Sequence, residues 1–143
     1  MKLIPVHILL IEDNQGDIML TMDAFEESKI KTNISVARNG AEALDFLFQR
    51  ESFKDVKRPD LILLDINIPI YNGHDVLKQI KEDPALKKIP VIMLTTSSNK
   101  KDVNLAYENY VNSYVIKPID MNDFIAAVLK IEEFWFQLST LSK

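Results

Sequence analysis

Four apolar runs in this 143-residue chain end in residues that can do chemistry. Val6–Ile11 runs into Glu12-Asp13, Leu61–Leu64 into Asp65, Val91–Leu94 into Thr95, and Tyr114–Ile116 into Lys117. Together they supply three carboxylates, a hydroxyl and an ammonium. Carboxylates held side by side repel, so either one takes a proton or a cation sits among them. With oxygen ligands only, Mg²⁺ suits the set, because it keeps several waters and binds through one or two carboxylates plus phosphate oxygens. The Lys117 ammonium and the Thr95 hydroxyl complement an anion on the far side of such a metal. An aspartate in that company is equipped to act as a nucleophile toward phosphorus, in aspartyl-phosphate chemistry.

The elements that must position these groups are legible from periodicity. The apolar runs, with Ile34–Ala37 as a fifth, are short, and three lack the polar alternation of a half-exposed strand, as parallel strands buried on both faces do. Between them the period becomes helical: Ile18, Met22 and Phe25; Leu44, Leu47 and Phe48; Val76, Leu77 and Ile80; Val103, Ala106, Tyr107 and Tyr110. A last helix opens at Asp120, with Asp123 three residues on. It carries Phe124, Val128, Ile131, Trp135 and Leu138 on one stripe. Strands alternating with helices predict an α/β fold, a parallel sheet covered on both faces, with strand order 2-1-3-4-5. In such sheets ligands bind at the carboxyl edge where the order reverses, here between strands 1 and 3. That order sets Glu12, Asp13 and Asp65 side by side. The charged stretch Gln49–Pro59 is longer than an ordinary connection and reads as an exposed loop.

The set Glu12-Asp13, Asp65-Ile-Asn67-Ile-Pro69-Ile-Tyr-Asn72-Gly73, Thr95 and Lys117-Pro118 resembles the receiver domain of bacterial two-component response regulators. The resemblance spans about residues 6–130, within a single domain expected over 1–143. It implies a flavodoxin-like doubly wound sheet with five helices, and phosphorylation of Asp65 by a sensor histidine kinase. It assigns Glu12, Asp13 and Asp65 to Mg²⁺, helped by the backbone carbonyl of Asn67. It sets Asn67, Thr95, Thr96 and Lys117 around the phosphoryl group, and makes Lys117-Pro118 a cis bond. Tyr114 matches the aromatic switch position that moves inward when Thr95 is drawn to phosphate. The loop Gln49–Pro59 and the ending Ile131-Glu-Glu-Phe-Trp-Phe-Gln-Leu138 also resemble the small regulators that partner bacterial phytochrome histidine kinases. Two positions depart from the family pattern. Tyr110-Val111 stands where receivers commonly have Gly-Ala, so Asn109 or Asn112 is expected to supply the left-handed residue. Thr96 replaces a small residue and would crowd access to Asp65.

Composition excludes several other classes. There are 17 Lys+Arg against 21 Asp+Glu, a net charge of −4, and no basic run, which disfavours nucleic acid or an anionic membrane as partner. Cysteine is absent and histidines number two, which removes disulfides, thiolate sites and histidine-rich metal sites. The first apolar run is too short to span a bilayer and lacks a cleavage site, so the expected location is the cytoplasm. An aspartyl phosphatase of the haloacid-dehalogenase type needs a second carboxylate two residues after the first, and Asn67 holds that place. A flavodoxin-like electron carrier needs a hydroxyl- and glycine-rich loop after strand 1, where Glu12-Asp13-Asn14-Gln15 would repel FMN phosphate. The remaining alternative is a scaffold receiver that is never phosphorylated. The leading expectation is a phosphorylation-controlled protein, not an enzyme with an external substrate, that signals through protein contacts or phosphorelay.

Other residues have plainer uses. His74, after the Asn72-Gly73 turn, is expected to be solvated in a first helical turn, and His7 to be a core or edge residue of strand 1. The run Thr95–Lys100 is expected to N-cap the next helix. Of Phe134, Trp135 and Phe136, at least one must point away from its own core stripe. That motivates an expected homodimer through the fourth helix, fifth strand and fifth helix.

Overall fold

The computed structural model describes residues 5–138. Its strands are β1 (Val6–Ile11), β2 (Thr32–Ala37), β3 (Leu61–Leu64), β4 (Val91–Thr95) and β5 (Ser113–Ile116). Its helices are α1 (Gln15–Glu26), α2 (Gly40–Leu47), α3 (Gly73–Glu82), α4 (Lys100–Glu108) and α5 (Met121–Glu132). All pairings are parallel and the order is β2-β1-β3-β4-β5, as the alternation of strands and helices predicts.

Period-two alternation divides the core in two. Leu9, Ile11, Ile62, Leu64, Val91 and Met93 face α2 and α3 on one side. Ile8, Leu10, Leu61, Leu63, Ile92 and Leu94 face α1 and α5 on the other. Burying each such side chain contributes roughly 1.5–3 kcal/mol, and a one-residue slip would exchange the two faces. The register is therefore strongly specified. It pairs Ile11 with Leu64 and Thr95 with Ile116, so Glu12 lands beside Asp65 and Lys117 follows the end of β5.

Each α-helix starts on an Asx cap. Asn14, Asn39, Asn72, Asn99 and Asp120 accept from the amides of Asp17, Glu42, Asp75, Lys101 and Asp123, which satisfies donors the helix itself leaves orphaned. After α5 the chain continues as a π-helical turn over Glu133–Leu138. There Trp135 and Phe136 pack on the α1/α5 core while Phe134 is half exposed, so one aromatic of the three does point away. Leu138 belongs to this turn, but its side chain lies outside the described residues, as do residues 139–143.

Several local expectations are corrected. On α1 the buried stripe is Ile18, Thr21, Ala24 and Phe25, with Met22 on the exposed side. On α4 only Ala106 is buried, and Tyr107 and Tyr110 face outward. The left-handed residue closing α4 is Tyr110 itself (φ 64°), whereas Asn109 has φ −96°. The Val111 amide donates to Ala106 O at 3.1 Å and the Tyr110 amide to Tyr107 O at 3.0 Å, a Schellman closure with Val111 buried behind it. Asn112 is committed elsewhere, since its side-chain oxygen accepts from Val91 N at 2.8 Å and Lys81 Nζ at 2.9 Å. Lys117-Pro118 is trans, because no cis peptide occurs among the described residues. The intrinsic preference at an X–Pro bond is only about 0.5–1 kcal/mol, so surroundings decide it. Gln49–Pro59 is better ordered than a free loop. It holds a 3₁₀ turn at Glu51–Phe53, packs Phe53 and Val56 on the core, and is tied by Arg58 Nε to Leu47 O at 3.0 Å.

Candidate functional site

The carboxyl ends of β1, β3 and β4 and the residue after β5 bring Glu12, Asp65, Thr95 and Lys117 into one cluster. All four are buried, which is costly for charged groups unless they are paired. Lys117 provides the pairing. Its Nζ lies 2.5 Å from Glu12 Oε1, 2.8 Å from Asp17 Oδ2 and 3.2 Å from Asp65 Oδ2. The backbone holds these groups in register: Asp65 N donates to Ile11 O at 3.0 Å, and Lys117 N to Thr95 O at 2.7 Å. The second oxygen of Asp65 accepts from the Ile66 amide at 2.7 Å, and that of Glu12 from the Asn14 amide at 3.2 Å.

Asp17 is a partner that the residues following the strands do not reveal. It stands in the first turn of α1, capped by Asn14, and its own carbonyl accepts from Thr21 Oγ1 at 2.8 Å. The usable signal is helical spacing, since Asp17, Thr21 and Ala24 fall at i, i+4 and i+7 on the face α1 turns inward.

One ammonium shared among several acids sets the electrostatics. Burial raises the Glu12 carboxyl to about 7; the Lys117 hydrogen bond opposes this and the Asp65 charge adds to it. Burial alone would lower Lys117, but its hydrogen bonds to Asp17 and Glu12, together with the Asp65 charge, hold it above the ordinary lysine range. The two shifts have one origin. Lys117 has more carboxylates than it needs, and Glu12 has less than one full counter-charge.

Asp13, Asn67 and Thr96 stand exposed at the rim of the cluster. Gly73 fixes the loop between β3 and α3 against the acceptor strand: its amide donates to Ile66 O at 2.8 Å, and a Cβ there would lie 2.3 Å from Asp65 O. Thr95 is fully buried, and its Oγ1 accepts from Ser97 N at 3.4 Å. Among the described residues no hydrogen bond joins Thr95 to Asp65. Tyr114 is half-buried, and its hydroxyl donates to Ser97 O at 2.8 Å, which ties β5 to the loop after β4. Burial pushes the Tyr114 phenol up, against the Ser97 bond and with the charges of Asp102 and Asp65.

His74 corrects its expectation. It is buried, not solvated, with Nε2 3.0 Å from Asp102 Oδ1. Asn99, two residues after Ser97, caps α4 as expected. His7 is half-buried in β1 with Nε2 3.0 Å from Ser35 Oγ, and burial lowers its pKa, opposed by the Asp60 charge.

Among the described residues no three acids converge closely enough to enclose a metal by themselves. The donor set still fits a hard cation of the Mg²⁺ kind, which needs only one or two carboxylates and a carbonyl alongside its waters. Asp13 is exposed, directly after Glu12, and no hydrogen bond among the described residues falls on the Asn67 carbonyl. The edge also carries more acids than Lys117 can neutralise.

Residues 8–129 match the family model described as the response regulator receiver domain. Response regulator Rcp1 of Synechocystis sp. is 42% identical over 137 residues, covering 96% of this chain and 93% of that one. The crystal structure of the phosphorylated cyanobacterial phytochrome response regulator RcpA superposes with a TM-score of 0.96 at 40% identity, over 98% of this chain and 100% of that one. The Mn²⁺-bound form of response regulator Rcp1 gives 0.94 at 41%, over 97% and 100%.

Proposed function

Because the chain belongs to the response regulator receiver family, we propose that Asp65 is its phosphoryl acceptor and that a histidine kinase is the donor. The observation that carries this reading is the Lys117 ammonium, held 3.2 Å from Asp65 Oδ2 at the edge between β1 and β3. In the transfer an Asp65 oxygen attacks the phosphorus of phosphohistidine. A P–O bond forms, the P–N bond breaks, and its electron pair returns to the imidazole. Lys117 and the Thr95 hydroxyl stabilise charge on the phosphoryl oxygens, with Asn67 and Thr96 as further contacts at the rim. Glu12, Asp13, Asp65 and the Asn67 carbonyl hold Mg²⁺, which when bound neutralises phosphoryl charge. Phosphorylation adds negative charge at Asp65, draws in Thr95, and so biases the packing of Tyr114 and the loop after β4.

The protein assists only its own phosphorylation and hydrolysis, acts in the cytoplasm, and signals by protein contacts or phosphorelay from one receiver domain. A bacterial phytochrome is the proposed kinase, on the likeness to Rcp1 and RcpA. A homodimer through α4, β5 and α5 is supported by the apolar side chains that face exposes, Leu105, Tyr107, Tyr110, Ile116, Ile119 and Met121. Light scattering that finds a monomer with and without phosphoryl removes the dimer. The central test is intact-protein mass after incubation with Mg²⁺ and a small phosphoryl donor. The parent should gain one acid-stable, base-labile phosphoryl group, and Asp65→Asn none.

A further inference from the structure

A hydrogen-bonded chain outside the acidic cluster joins the acceptor side of the sheet edge to the Thr95 side. It starts at Gly73, pressed against the Asp65 carbonyl, and the next residue is His74. His74 Nε2 lies 3.0 Å from Asp102 Oδ1 in the first turn of α4. The other Asp102 oxygen accepts from Ser97 Oγ at 2.6 Å. Ser97 then commits each of its polar groups: its amide to Thr95 Oγ1 at 3.4 Å, its hydroxyl oxygen to Asn99 N at 3.3 Å, and its carbonyl to Tyr114 OH at 2.8 Å. Through these bonds the loop after β4 is held from α3, α4 and β5 at once.

Only one of the two ring nitrogens of His74 is satisfied. Hydrogen bonds from Ser97 and His74 hold the Asp102 carboxyl below the usual range, so Asp102 is a carboxylate acceptor and Nε2 carries the proton. Nδ1 is then buried with no partner. A buried polar atom left unpaired is unfavourable, and an apolar residue at position 74 would remove it. What the imidazole provides in return is the anchor on Asp102.

We propose that His74 is a positioning residue for phosphoryl binding. By fixing Asp102, and through it Ser97, it holds Thr95 and Tyr114 in place before the phosphoryl group arrives. This rests on the reading of Asp65 as acceptor. Preorganisation of this kind shows as affinity, because an unpinned loop must be ordered when the anion binds.

The test uses the full chain and beryllofluoride, a phosphoryl mimic, with Mg²⁺. His74→Leu should weaken beryllofluoride binding by about tenfold, within the usual range of coupling between linked groups. Mg²⁺ affinity measured without beryllofluoride should stay within about twofold, since the carboxylates of Glu12 and Asp65 bond to Lys117 and to backbone amides, not to His74, Asp102 or Ser97; a general loss of structure would lower both. His74→Gln, which keeps a donor, should recover most of the loss. Ser97→Ala cuts the same chain from its other end, so it should weaken binding similarly and add little to His74→Leu. If His74→Leu does not fold, His74→Gln and Ser97→Ala carry the comparison. Variants that bind within about twofold of the parent, or more tightly, overturn the role of His74 while leaving Asp65 as acceptor. A parent that binds no beryllofluoride overturns the acceptor reading and this role together.

Discussion

Removing the Lys117 ammonium without removing its bulk, by Lys117→Met, asks directly what holds the acidic edge together. The ammonium contacts carboxylate oxygens at 2.5, 2.8 and 3.2 Å. At an effective dielectric near 20, each contact amounts to about 5–7 kcal/mol of Coulomb attraction before desolvation is subtracted. Asp17 is discounted, since its side chain is 26% exposed and stays hydrated. Glu12 and Asp65 are 3% and 9% exposed and cannot recover water easily. Breaking a buried pair and leaving its acids uncompensated costs about 3–5 kcal/mol, and that is the loss expected at pH 8.

The pH dependence follows from Glu12. Its carboxyl is raised from 4.5 to about 7 in the fold. The stability linked to its protonation is fully present below about 4.5 and lost as pH rises through about 7. Deleting Lys117 removes the hydrogen bond and charge that lower this carboxyl most, leaving only the Asn14 amide, so the window moves upward. The variant's deficit should therefore shrink to about 1–2 kcal/mol at pH 5, where Glu12 is protonated. Urea unfolding at pH 5 and pH 8 reads both values, and saturating Mg²⁺ at pH 8 should restore part of the loss as a substitute counter-charge. A deficit under about 1 kcal/mol that is equal at both pH values would refute the claim that Lys117 is the cluster's principal counter-charge.

Gly73→Ala would place a Cβ 2.3 Å from Asp65 O and 2.7 Å from Ile66 Cα; backbone must move, with a loss of about 1–3 kcal/mol in urea unfolding and slower phosphorylation by a small donor. An unchanged rate would show that the loop yields without disturbing Asp65. Tyr110→Gly relieves a left-handed, exposed tyrosine at the end of α4, and thermal unfolding should show a gain of about 0.5–1 kcal/mol. Glu132 is 2% exposed, hydrogen-bonded by Ser28, and has one buried oxygen unpaired. Burial raises its carboxyl above 4.5 despite the Ser28 bond, so its contribution is present below that value and fades as pH climbs through the raised one. Glu132→Gln keeps the Ser28 bond and should stabilise the chain by about 1 kcal/mol at pH 8 while changing little at pH 4, by urea unfolding.

The sequence by itself determined the strands, their order, the helix caps at Asp120 and within Thr95–Lys100, and the edge where the reactive groups gather. Hydrophobic period and cap chemistry are carried by residues within one or two turns of each other, so Val6–Ile11 or Asn72-Gly73 can be read without the rest of the chain. The resemblance carried Asp65, Thr95 and Lys117 as well, and the structure places all of them at that edge. What only the tertiary structure decided are the partners. Asp17, Glu12 and Asp65 meet Lys117 across 100, 105 and 52 residues of sequence, and no local pattern states which acid will share an ammonium. His74 follows a turn signal and looks solvated until α4 sets Asp102 against it. Tyr110 takes the left-handed position because Val111 must reach the core and Asn112 is already bound to Val91 and Lys81. In each case the side chain's neighbours come from other elements, and burial makes a satisfied partner worth more than a local preference.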